Sequence, residues 1–169
     1  MQMILSLSVV SCFFLGNFGI QGTIRADFHE KEPDEQRLET IIKKKGYEDS
    51  PLTAAYKGLC ETMMAKYAFM PTSKLRYFNN GKSKIESAIR AQKDNPELRY
   101  IRLMVQLNAP ALLGYYGQVS GDIDFFINGV QNYGIDKKWI VLFTDNLLRG
   151  ENLKPEDKVK LLGFKKGLR

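Results

Sequence analysis

The chain has 169 residues, 44% of them hydrophobic and 26% charged, which suffices for one domain with a real core and excludes a disordered chain. Its formal net charge is +6, yet the basic residues interleave with acids in stretches such as EKEPDEQRLETIIKKK, the pattern of solvated helix faces rather than of a nucleic-acid groove. Only two cysteines occur, Cys12 and Cys60, which excludes a disulfide-stapled scaffold once the first segment is removed.

No charged side chain appears in the first 24 residues, and Met3–Ile20 is mostly apolar. After Arg25 the composition turns abruptly polar, with ADFHEKEPDEQR. That boundary suits a signal sequence over residues 1–26, ending near Gly19–Gly22 or Ala26. No Lys or Arg precedes the apolar run, so an uncleaved membrane anchor stays open beside it, as does a buried first helix. Val9-Val10-Ser11-Cys12 resembles a bacterial lipoprotein box, which implies lipidation of Cys12; the apolar Phe13-Phe14-Leu15 departs from that pattern. Residues 27–169 then form a single helical domain, opening on a short tether over 27–33.

The first helix is expected from Asp34 to Gly46, with Leu38, Ile41 and Ile42 on one face and lysines in its last turn, as the helix dipole favours. A second is expected from Pro51 to near Met70, capped by Ser50, with Leu52, Ala55, Tyr56, Leu59, Cys60, Met63, Met64 and Tyr67 on one stripe. The third spans Ser73 to Lys93. It runs straight through Asn79-Asn80-Gly81, a turn signal, because Leu75, Phe78, Ile85, Ala88 and Ile89 keep their phase across it. Gly81 then permits close approach of a neighbour, against a helix penalty of about 1 kcal/mol.

Asp94-Asn95-Pro96 stops that helix and starts a fourth, with Pro96 and Glu97 in first-turn positions. Leu98, Ile101 and Val105 form one stripe and Tyr100, Leu103 and Leu107 another, which predicts a central helix. NAPALLGYYGQVSGD follows, irregular but too apolar for a free loop. The fifth helix is expected from Asp122, capped there or by Ser120 or Gly121, with Ile123, Phe126, Ile127 and Val130 inward. A sixth opens at Asp136, where Ile135 and Ile140 staple the start, and continues through Trp139, Phe143, Leu147 and Leu148. Pro155 begins a last helix bearing Val159, Leu162 and Phe164, its basic end either dipole-compatible or a mobile tail. The predicted class is all-α: a bundle or short solenoid of about six or seven helices behind an apolar leader.

Residues 81–107 resemble a tetratricopeptide repeat: Gly81, Ile85 and Ala88 match the packing roles of its second helix, and KDNPEL resembles the inter-repeat turn. Tyr56, Leu59 and Cys60 fill the aromatic, leucine and small positions of a first helix. Lys93 stands where that family usually has proline, and no second copy follows residue 107. The chain is also similar to small exported helical proteins of Gram-negative bacteria. The resemblance implies antiparallel helix pairs and a surface that binds a protein or peptide segment.

Chemistry-bearing groups are sparse. His29 is the single histidine; Asp27, His29 and Glu30 form no defined metal geometry and read as a solvated tether. Asp122, Asp124 and Glu97 read as helix-start residues. Gly114, Gly117 and Gly121 lack a phosphate-loop context. Lys82, Lys84, Arg90, Lys93 and Arg99 offer a basic surface without a nucleic-acid motif. No catalytic residue, cofactor or metal site is assigned. The expected function is an exported, periplasmic or membrane-associated interaction domain with a protein or peptide partner and no nucleic acid, Tyr100, Tyr115 and Tyr116 being its partner surface. The alternatives are a membrane-anchored protein with a basic C-terminal tail, or an enzyme with a pocket near Tyr115 and Tyr116.

Overall fold

The computed structural model describes residues 24–45 and 50–168. Cys12 and nearly all of the apolar leader lie outside the described residues. Among those described no strand occurs, and the helices pack on one another. A short helix at 24–29 (α1) precedes α2 (Glu35–Lys43), α3 (Pro51–Met64), α4 (Pro71–Ala91), α5 (Pro96–Gln106), α6 (Val119–Gly129), α7 (Lys137–Leu148) and α8 (Pro155–Gly167). None is long and apolar enough to cross a membrane.

Proline occupies the first position of α3, α4, α5 and α8. Its missing N–H is one the first helical turn leaves unbonded anyway, and its fixed φ is already helical. The Asp34 carboxylate accepts from the Arg37 N–H to cap α2, and the Asn95 side chain does the same for α5 through Glu97 N. Ser50 and Asp136 precede α3 and α7 without forming a side-chain cap.

The helices α3 and α4 run antiparallel and in backbone contact. A Cβ on Gly58 would stand 2.7 Å from the Gly81 carbonyl oxygen, and one on Gly81 would meet the Gly58 carbonyl and stand 2.8 Å from Thr62 N. Asn79-Asn80-Gly81 therefore stays helical because Gly81 serves a helix–helix seam. Ile85, Ala88 and Ile89 are buried against α3 as the phase predicts, while Leu75 is half exposed.

The helix α5 is the centre, touching α3, α4, α6 and α7, and both of its apolar stripes are buried. The helix α8 closes on α6 and α7. Its inward face differs from expectation: Leu161, Leu168 and Asp157 are buried, whereas Val159 and Leu162 point outward. The Asp157 carboxylate accepts from the Ser120 hydroxyl at 2.7 Å, and the basic end of α8 is a docked helix, with Leu168 buried and Lys165 paired to Asp145. The same bond takes Ser120 away from capping, and α6 begins at Val119 instead of Asp122.

The expected tether is also corrected. Residues 27–29 are helical, and Ile24 and Phe28 are buried in the core. Residue 26, the expected end of the leader, falls inside α1.

Candidate functional site

Among the described residues two buried polar networks cross the bundle, and neither is legible as a motif. In the first, α1 supplies Arg25, α3 supplies Tyr56 and the first turn of α5 supplies Glu97. Arg25 donates through Nε to Glu97 Oε1 at 2.7 Å and through Nη2 to Oε2 at 2.5 Å. The Tyr56 hydroxyl donates to the same Oε1 at 2.7 Å. Glu97 is 1% exposed, so this forked pairing is what allows a carboxylate to remain inside a protein. Burial works against the charge on Arg25, but the bonded and nearby Glu97 carboxylate holds its pKa above the ordinary value. Its guanidinium also sits 5.7 Å from the Trp139 ring centre and 6.0 Å from that of Phe143, within cation–π range.

One helical turn after Arg25, His29 enters an aromatic box. Phe28, Tyr56, Tyr100, Trp139 and Phe143 all have ring centres within 6.0 Å of the imidazole. The Tyr100 hydroxyl lies 3.4 Å from His29 Nε2 and accepts from Asn146 Nδ2 at 2.9 Å. The phenol oxygen can take the Asn146 N–H and still either donate to Nε2 or accept from it, so the contact holds the imidazole in either neutral tautomer. Burial, with the Arg25 charge adding to it, lowers the His29 pKa to about 4. The ring thus stays neutral at ordinary pH.

The second network joins α4, α5 and α6. Arg102 donates through Nε and Nη2 to the two oxygens of Asp122 at 2.6 and 2.5 Å, and through Nη1 to Glu86 Oε2 at 3.1 Å. The Tyr115 hydroxyl donates to Glu86 Oε1 at 2.6 Å. Burial and that bond to Glu86 raise the Tyr115 phenol. Asp122 is therefore an internal ion-pair partner rather than a capping residue.

The expected partner surface does not hold together as one patch. Tyr100 is fully buried, stacked 4.1 Å from Phe143, because its hydroxyl finds Asn146 inside the bundle. Tyr115 is also buried, in a T-shaped contact with Phe78 and with the Lys82 ammonium over its ring. Of the three, Tyr116 alone is on the surface, at 59% exposed, near in sequence to Leu112 at 96%. An open depression between α3 and α4, lined by Ser50, Ala54, Ser83, Ser87 and Ala91 among others, shares no residue with either network.

The reactive side chains are held in forms that resist proton exchange. Burial, then the nearby Glu61 charge, pushes the Cys60 thiol up to about 12, where it is a poor nucleophile. Burial raises the Tyr56 and Tyr100 phenols as well, with the Glu97 charge adding to the shift at Tyr56. Asp27 and Glu30, beside His29 in sequence, face Lys44 and Arg37. Among the described residues no group of His, Cys, Asp and Glu gathers that suits a metal ion.

The fold and networks define an all-helical domain whose interior is cross-braced by ion pairs. No family model, curated protein or solved structure matches the chain.

Proposed function

We propose that this chain is an exported, non-catalytic helical interaction domain, similar to the tetratricopeptide class, whose partner is a protein or peptide segment. One observation carries the reading. The buried carboxylates Glu97 and Asp122 are neutralised by arginines inside the bundle, while the segment between α5 and α6 presents apolar side chains outward. Three bonds from two residues tie that segment down: Tyr115 donates to Glu86, and Asn152 donates to Leu107 O through its N–H at 2.9 Å and to Ala109 O through Nδ2 at 3.0 Å. Leu112 and Tyr116 are thereby displayed on a segment tied down near both of its ends, which favours their use as anchors in a partner's pocket.

The close α3–α4 pair, which meets at Gly58 and Gly81 with Ile85 and Thr62 beside them, supports the repeat-like part of the reading. The leader sequence supports export to a periplasmic or membrane-associated location.

The test is site-specific photo-cross-linking in cells of the chain's own source. A photoreactive residue at position 112 or 116 is expected to give one discrete adduct, absent when the probe is at Lys158 on α8 and lost in L112D or Y116D. Adducts that do not depend on position, or a purified chain that turns over a metabolite, would contradict it.

A further inference from the structure

We infer that the turn between α3 and α4 is a contact tip for an anionic lipid surface. Phe69 is 94% exposed and Met70 54% exposed, with Leu75 at 49% and Tyr67 at 36% on either side. Local folding does not call for this apolar cluster. Met70 is the residue preceding α4 and makes no side-chain cap, a position where Ser or Asp serves better. Packing does not call for it either, since Phe69 is almost wholly in solvent.

The charges around the cluster are of one sign. Lys66, Lys74 and Arg76 are exposed, and among the described residues none of the three has an ion-pair partner. The Lys66 ammonium stands 5.6 Å from the Tyr67 ring. From Thr62 to Ile85 the sequence holds no Asp or Glu. A protein-docking tip ordinarily has a mixed polar rim. An exposed aromatic wedge with cations alone around it instead matches the boundary of an anionic bilayer, where apolar groups enter the acyl region and Lys and Arg meet the headgroups. Each such cation raises partitioning about fivefold. The inference is separate from the proposed protein-binding role of Leu112 and Tyr116.

The full chain includes the apolar leader, so the readout must be local to the tip. F69W places an indole at the apex, and the unsubstituted protein, whose one tryptophan is Trp139, supplies the blank. Vesicles of phosphatidylcholine with roughly one-fifth phosphatidylserine, brominated in the acyl chains, are expected to quench the added indole. In F69W/K66E/K74E/R76E, or on pure phosphatidylcholine vesicles, the quenched fraction at fixed lipid should fall at least fivefold, with helical circular dichroism unchanged. An indole that stays unquenched on vesicles overturns the inference, as does quenching indifferent to lipid charge. A photo-cross-linker at position 69 that captures a protein while the indole stays unquenched also overturns it, and makes the tip a protein-docking site.

Discussion

Arg25 and Glu97, separated by 72 positions in the chain, meet in a two-pronged ion pair whose guanidinium and carboxylate side chains are 13% and 1% exposed. Breaking such a pair from one side leaves the other charge buried and uncompensated, whereas replacing both removes that penalty. R25M is expected to destabilise the fold by about 3 kcal/mol. The double variant R25M/E97Q should be less destabilised than R25M alone. Urea denaturation followed by circular dichroism measures both, and simple additivity of the two changes would remove the pair from the account.

His29 makes stability depend on pH. Its folded pKa is lowered to about 4 from the ordinary 6.5, so the unfolded chain binds the proton more readily. Stability from this group is complete above about pH 6.5 and is lost as pH falls toward 4, by at most about 3 kcal/mol. The facing groups are Arg25, Tyr56 and Tyr100, none of which changes charge in that window. H29F keeps an aromatic ring in the box and should flatten the slope between pH 6.5 and 4.5 in chemical denaturation series. An equal slope in H29F would assign the dependence to other groups.

Two glycines in helices should respond in opposite directions to the same change. Gly81 faces the backbone of α3, while Gly163 on α8 has open space where a Cβ would stand. G81A gains helix propensity yet forces the α3–α4 seam apart, with a net cost of about 2 kcal/mol. G163A should gain about 0.5–1 kcal/mol. Thermal melts of the two variants with the parent protein decide the matter, and a stabilised G81A would mean that the seam is loose.

Cys60 is fully buried, with its thiol pushed up to about 12. Iodoacetamide at about pH 8 should leave the Cys60 peptide unmodified in the folded protein for hours and label it within minutes in strong urea. Peptide mass mapping keeps this site distinct from Cys12. Fast labelling without denaturant would show that α3 opens readily.

Most of the helical order is readable locally. Pro51, Pro96 and Pro155 mark helix starts through their own covalent geometry. The steady phase on both sides of Gly81 reveals one long helix where three residues suggest a turn. The two-sided apolarity of residues 98–107 places α5 at the centre. What escapes is long-range. Glu97 and Asp122 look like ordinary first-turn acids, and nothing within several residues of either signals Arg25 or Arg102. His29 reads as part of a polar tether because its neighbours Asp27, Glu30 and Lys31 are charged; beyond the adjacent Phe28, its surroundings are aromatic side chains of α3, α5 and α7. Tyr100 illustrates the limit from the other side. A tyrosine in an apolar stripe suits a surface or a core equally well, and the distant Asn146 decides between them.

The seam at Gly58 and Gly81 has a mechanical consequence. With main chain close to main chain, the short reach of Thr62 and the flank of Ile85 lie beside the α3–α4 crossing, leaving little to yield at that point. The pair therefore resists sliding and separation at that crossing more than a seam filled by flexible side chains would.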